Sequence, residues 1–308
     1  MKNTIKTLYD IEAKSLVKYS NKVYKIKDKD DNNYCLKYVD NAFNNNLIEK
    51  INALNLDDKF VVPLKTCIRT TIAQKNHEKF YITKWIDDDY LESKDLKLKY
   101  YLKQIAIMHS KTSYTLNVTE SYFSEISMKL EEDIEDVYQS YEKIIYNLER
   151  KEYKSPFEWY FINHFNIIVK CLDNSRMHLE NFKKLVKNKE TIRQVINHLN
   201  FSYDHVFLSK DKIIGNDKMK LMSPVFEIKS LFDTINFGNL DISGLFDEYL
   251  NIMDFQDYEI EWMLSLLFIS KKFSLVKDDM KNLNSLMQIM FRCNSVFEFE
   301  KRFIKEKK

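Results

Sequence analysis

The residues whose types and spacing could do chemistry lie within 195–237. A loop written H-x-D-x-x-x-x-N serves phosphoryl transfer: its Asp takes up the acceptor hydroxyl's proton and its Asn holds a magnesium ion. This chain keeps the spacing and changes the chemistry, reading His198-Leu199-Asn200 and then His205. An amide has no proton affinity near neutral pH, so Asn200 is no general base, and a neutral imidazole at His205 is a poor ligand for hard magnesium. A second metal position is expected one hairpin later, as an Asp at a strand end. Val206-Phe207-Leu208 reads as one strand, 210–218 as a polar turn containing Gly215, and 219–225 as the returning strand, which places that Asp at 221–223. No carboxylate occurs from Lys218 through Phe226. Asp217 and Glu227 bracket the gap, each displaced by several residues at about 3.3 Å per strand residue. Asn200, His205 and Ser223 are therefore degenerate positions, Asp204, Asp217 and Glu227 are fallback acids, and no metal site is expected. His205 with Asp204 makes only an incomplete transition-metal pair.

The elements that must position these residues begin near the N-terminus. Lys22-Val23-Tyr24-Lys25-Ile26-Lys27 alternates, 28–33 is rich in turn formers, and Tyr34-Cys35-Leu36-Lys37-Tyr38-Val39 alternates again, which predicts a hairpin with Lys37 in mid-strand. Phe43, Leu47, Ile51 and Leu54 recur at helical spacing, predicting a helix that carries Glu49. Val61-Val62-Pro63 restarts extended chain, and 70–73 and 80–85 read as two strands joined by polar 74–79. A glutamate on such a helix can fix a lysine ammonium where it meets nucleotide phosphates. Beyond Ile86-Asp87-Asp88-Asp89 the chain turns helical. Leu98, Tyr101, Ile105 and Met108 form one apolar stripe ending at His109, and 126–148, 157–172, 179–185, 254–273 and 280–303 read as further helices. His109 is expected to pack or cap, and Asp233 to open a helix and cap its free N–H groups.

Composition narrows the function classes. A chain of 308 residues with 44% hydrophobic and 14% aromatic side chains can bury a large core and suits two lobes. The 48 basic and 46 acidic residues leave a net charge of +2, giving no field that favours nucleic acid. Cys35, Cys67, Cys171 and Cys293 match neither a zinc pair nor a disulfide framework. No run approaches the roughly 20 apolar residues of a membrane span, and the first residues have no signal-peptide core, so cytosolic synthesis is expected. With only three glycines, all late in the chain, no glycine-rich loop exists to wrap phosphates with backbone N–H groups.

Taken in order, these residues resemble the spore coat proteins of the CotS type, which share the fold of aminoglycoside and choline phosphotransferases. The likeness runs through Val23-Tyr24-Lys25-Ile26, Tyr34-Cys35-Leu36-Lys37, Phe80-Tyr81-Ile82-Thr83-Lys84-Trp85-Ile86, Ile105-Ala106-Ile107-Met108-His109-Ser110, Ser155-Pro156-Phe157, the 198–208 loop, and Phe232-Asp233-Thr234-Ile235. It implies an α+β, two-lobed protein-kinase-like (aminoglycoside phosphotransferase-like) fold. The small β-rich N-lobe would be 1–88, an antiparallel sheet plus one helix, and the large helical C-lobe 89–308, with a degraded catalytic-loop hairpin at 195–237. The resemblance makes Lys37 the phosphate-contacting lysine with Glu49 as its partner. It makes Lys84, Trp85 and Ile86 the hinge that would receive an adenine, and gives His198 the task of ordering the loop. Asn200 stands for the catalytic Asp, His205 for the metal-binding Asn and 221–223 for the metal-binding Asp.

Three functional classes follow. The favoured one is a catalytically degraded kinase-like protein, a structural or docking component of the bacterial spore coat, made in the mother-cell cytoplasm, with other coat proteins as partners and no cofactor. The second is an active small-molecule or protein phosphotransferase that uses displaced acids. The third is an ATP-sensing pseudokinase that holds ATP through Lys37 and Glu49 without magnesium.

Overall fold

The computed structural model describes the chain except residues 41–42, 88–91, 236–241 and 306–308. Asp88, Asp89 and Gly238, and the boundary drawn at 88/89, lie outside the described residues. In chain order the elements are α1 (Lys2–Tyr9), β1 (Ala13–Lys18), β2 (Val23–Asp28), β3 (Asn33–Val39), α2 (Asn45–Ala53), β4 (Ala73–Lys75), β5 (Glu78–Lys84), α3 (Lys94–Thr112) and β6 (Tyr114–Asn117). There follow α4 (Tyr122–Glu149), α5 (Pro156–Val186), β7 (Thr191–Asn197), β8 (Val206–Phe207), β9 (Lys212–Ile213) and β10 (Lys220–Met222). The chain ends with α6 (Val225–Thr234), α7 (Ile242–Leu245), α8 (Asp247–Leu250), α9 (Asp257–Phe268) and α10 (Asp279–Lys305). Two compact units form, one from Met1–Thr112 with Val195–Met222, the other from Ser113–Gln194 with Ser223–Lys308.

The first unit is built on an antiparallel sheet of order β1-β2-β3-β5-β4. The predicted hairpin is β2–β3, and its register sets Lys37 opposite Val23 on one side and Tyr81 on the other, with Cys35 opposite Thr83. Because strand side chains alternate, residues sort onto two faces. Ile26, Leu36, Phe80 and Ile82 go to one face, where they pack with Ile5, Tyr9 and Ile11 into a buried core. Cys35, Lys37, Tyr81 and Thr83 go to the other. Helix α1 and strand β1 were not predicted; α1 is short and polar, and only Ile5 and Tyr9 of it are buried. The expected strand at 70–73 is shifted to β4, because Asn76 and His77 both take left-handed φ (49° and 67°) and turn β4 into β5 within two residues. Val61-Val62-Pro63 forms no strand; Phe60 bridges Ile213, and the Val61 N–H donates to Ile213 O at 2.8 Å.

The 198–222 segment departs from prediction. The strand returning against β8 is β9, which arrives after a tight turn, Val206 pairing Ile213 and Phe207 pairing Lys212. Strand β10, expected in that place, pairs instead with the end of β7, Lys220 opposite Asn197 and Met222 opposite Val195.

The second unit is mainly helical. Helix α5 runs 31 residues, so the separate helix expected at 179–185 is its last part. Ser155 caps it with Glu158 in a capping box, Pro156 takes the first turn, and no glycine or proline interrupts it before Lys187. Helix α4 buries Leu130, Ile134, Val137, Tyr141, Ile144 and Leu148 at three- and four-residue spacing, and α10 buries Leu286, Met290, Cys293, Val296, Phe299 and Phe303. Strand β6 pairs the start of β7, where Arg193 donates from its guanidinium to both oxygens of fully buried Glu259 on α9. Asp233, expected to open a helix, stands near the end of α6. A carboxylate there opposes the dipole, and two cations offset it: Lys229 at 2.7 Å and Arg292 at 3.5 Å. Among the described residues no helix is long and apolar enough to cross a membrane.

Candidate nucleotide cleft

The second face of the five-stranded sheet walls a cavity of about 540 Å³ in the first unit. Val23, Cys35, Lys37, Tyr81, Thr83 and Trp85 line one side, and Asp204, His205, Phe207, Ile214 and Gly215 line the other. Alternation in β2, β3 and β5 selects the first set, and the β8–β9 hairpin presents the second. Lys84, Trp85 and Ile86, expected to form a hinge, do border the cavity, with Asp87 beside them.

Lys37 reaches inward and pairs with Asp217, Nζ to Oδ1 2.6 Å, both side chains largely buried. This corrects two expectations. Glu49 does not hold Lys37: it is exposed on α2 and accepts from Asn45 Nδ2 at 3.2 Å. The place for an acid following the hairpin is not 221–223, since the returning strand is β9 and the residues after it are Ile214-Gly215-Asn216-Asp217. Asp217 occupies that place. The turn is tied down by the Asn216 side chain, whose Nδ2 donates to Val61 O at 2.9 Å. The Tyr81 phenol hydrogen-bonds the Asp217 carboxylate, and burial first, then that charge, push it well above the ordinary phenol range. Lys37, Asp217 and Tyr81 thus form one polar cluster at the inner end.

Hydrogen bonds and packing tie down the loop before β8. His198 is fully buried; Tyr101 Oη–H donates to its Nδ1 at 3.1 Å and its Nε2–H donates to Ile214 O at 3.2 Å. Burial, with the nearby His205, lowers its pKa to about 3, so it is a neutral ring that orders the loop. Asn200 Nδ2 donates to Gly215 O at 2.8 Å, and His205 Nδ1–H donates to Asn200 O at 2.8 Å. Burial also holds His205 below the usual imidazole range, and Lys37 adds to the effect. Gly215, at φ +89°, is required here: a Cβ would stand 2.7 Å from Asn200 Nδ2 and 3.0 Å from His205 Nδ1. Asp204 lies exposed at the cavity rim. Ser223 and Glu227 belong to the second unit, both buried, Glu227 in the first turn of α6.

Magnesium ions that bridge nucleotide phosphates need hard oxygen ligands from more than one protein position. Here Asn200 donates its amide to Gly215, His205 offers nitrogen, and Asp217 is paired with Lys37. Among the described residues no three His, Cys, Asp or Glu side chains converge as a metal site. This donor set does not fit the two-metal arrangement. What the cleft offers is an apolar slot with a buried cation at its end, able to receive a planar group and an anionic tail. Asp217 was named among the fallback acids, but its pairing with Lys37 and the part played by Tyr81 escaped the sequence reading. The signal for Asp217 was Gly215 two residues earlier, legible once β9 is placed at Lys212–Ile213.

Neither a family model nor a curated protein matches this sequence. Solved structures do match its fold. An aminoglycoside phosphotransferase from Alicyclobacillus acidocaldarius superposes with a TM-score of 0.70 at 10% identity, over 99% of this chain and 96% of that one. Spectinomycin phosphotransferase APH(9)-Ia, in complex with ADP and spectinomycin, matches with a TM-score of 0.54 at 14% identity over 97% of each chain. The chain therefore has the protein-kinase-like fold of aminoglycoside phosphotransferases, with an antiparallel N-terminal sheet and a helical C-terminal part.

Proposed function

We propose that this chain is a catalytically degraded member of the kinase-like fold that holds a purine nucleotide such as ATP, without magnesium, and works by docking. The observation that carries this reading is Asn200. It stands where a base would be needed, and its amide is committed to Gly215 O at 2.8 Å. Lys37 remains in the cleft to meet phosphates, exchanging Asp217 for them. The cavity has the size of a small-molecule site, within roughly 300–1,000 Å³. The docking role is that of a spore coat component, made in the mother-cell cytoplasm and bound by other coat proteins. Its support is the resemblance carried by the 23–26, 34–37, 80–86 and 198–208 passages.

Asp217 favours a second reading, an active phosphotransferase using this displaced acid. Titration with ATP, with and without magnesium, while following thermal unfolding and hydrolysis, separates the two. A rise in melting temperature without magnesium and without turnover is expected. Magnesium-dependent turnover abolished by Asp217→Asn would overturn the degraded reading. For location, a fluorescent fusion in sporulating cells is expected to ring the forespore, and a signal that stays diffuse in the mother cell refutes the coat role.

A further inference from the structure

The sheet register that builds the cleft also sends Val17, Lys25 and Trp85 to the same face, and Tyr19, just past β1, follows them. The Tyr19 ring meets the Trp85 indole edge-on, centroids 5.3 Å apart at 77°. Lys25 Nζ stands 4.5 Å over that indole and 3.1 Å from Asp87 Oδ1, and the indole Nε1–H donates to the same oxygen at 2.7 Å. Trp85 is thus fixed by a cation on its face and a carboxylate at its edge, while Tyr19 rests against it although 72% exposed. The turn carrying Tyr19 has no glycine and is closed by the Tyr19 and Ser20 N–H groups on Val23 O at 2.9 and 3.1 Å. Both rings line the cavity, and Tyr19, Ser20, Lys84, Asp87 and Asp204 are exposed at its rim, with Lys37, Tyr81 and Phe207 deeper.

We propose that Tyr19 and Trp85 form an aromatic latch on the sheet side of the cleft mouth: the way to the inner cavity widens when the tyrosine ring leaves the indole, and the ring recloses behind what enters. It takes over the covering role for which this chain has no glycine-rich loop. The latch stands on cleft geometry, and rests on the nucleotide reading only for the identity of its occupant. An exposed aromatic pair favours the closed arrangement by a factor of about three to ten.

Cys35 lines the cavity behind the latch and reports its opening without any ligand. Cys67 is exposed and is removed by Cys67→Ser, while Cys171 and Cys293 are buried in the second unit and serve as controls. Labelling by a maleimide, read by peptide mass spectrometry, is compared in that background and in added Tyr19→Ala, Tyr19→Phe and Trp85→Leu. The expected result is a Cys35 rate about threefold to tenfold higher in Tyr19→Ala and Trp85→Leu, and unchanged in Tyr19→Phe, which keeps the ring. An unchanged rate in Tyr19→Ala overturns the latch, as does a rise shared equally by Cys171 and Cys293, which reports general loosening. ATP added to the Tyr19→Ala protein is expected to slow Cys35 labelling. If the latch variants behave as stated and ATP gives no protection, the nucleotide reading falls and the latch stands.

Discussion

His178 is a buried titratable group outside the cleft, and replacing it tests the electrostatic reasoning directly. It sits on α5, 4% exposed, with Nδ1 2.7 Å from Glu261 Oε2 on α9 and Nε2 2.8 Å from Glu300 Oε1 on α10. Carboxylates only accept, so both ring nitrogens must donate and the ring is an imidazolium. Burial pulls its pKa down, but the hydrogen bonds and charges of Glu261 and Glu300 outweigh that, and it stands above the ordinary imidazole value. The ring also stacks on Phe268, centroids 5.7 Å apart at 8°. His178→Phe keeps the stack and removes the cation between two buried carboxylates, a change expected to cost about 3–5 kcal/mol. With a urea slope of about 2 kcal/mol/M, the unfolding midpoint of this unit should fall by roughly 1.5–2.5 M. Fluorescence of buried Trp262 follows it, in a background of Trp85→Phe and Trp159→Phe. The sign with pH is fixed. A folded pKa above the unfolded one means the folded state binds the proton more tightly, so the stabilisation is full below about pH 6.5 and is lost as pH rises through the folded value. The gap between parent and variant should therefore narrow above neutrality. A loss below about 1 kcal/mol, or a gap that widens with pH, would refute the imidazolium bridge. Adding Glu261→Gln and Glu300→Gln to the variant should recover stability, because the buried charges that lost their cation go with them.

Other substitutions probe the cleft. Gly215→Ala meets Asn200 Nδ2 at 2.7 Å in a left-handed conformation, and should lower the first unit's stability by about 1–3 kcal/mol in denaturant titration, with a loss under about 0.5 kcal/mol counting against a fixed turn. Asn200→Asp removes the donor to Gly215 O and sets a carboxylate against a carbonyl. It should destabilise by about 1–3 kcal/mol and give no ATP hydrolysis, and turnover in that variant would show that only the base is missing. Asp217→Asn takes the charge from beside Lys37, so ATP affinity in magnesium-free calorimetry should rise, and a fall would place Asp217 among the ligand-holding groups.

The alternation of β2 and β3, the helix bearing Glu49, and the apolar stripe of α3 are legible in the sequence because apolar residues recur there at strand or helix spacing, although α3 also buries Leu102, Gln104 and His109 off its stripe. So is the amide at Asn200, whose chemistry does not depend on context. Sequence alone also placed the long helices, though not the continuity of α5 from Pro156 to Val186, whose polar stretch near Asp173 and Asn174 weakens the apolar pattern. What only the tertiary structure decided is partnership. Two-residue strands such as β8 and β9 carry too few side chains to declare a period, so whether 212–213 or 219–225 returns against Val206-Phe207 is settled by hydrogen bonding to Lys59, Val61 and the end of β7. That choice moves Asp217 into the cleft and gives it Lys37, 180 residues earlier in the chain, leaving Glu49 in solvent. A charge pair across such a separation leaves no local trace, because its geometry is fixed by the sheet register and the turn at Gly215 together.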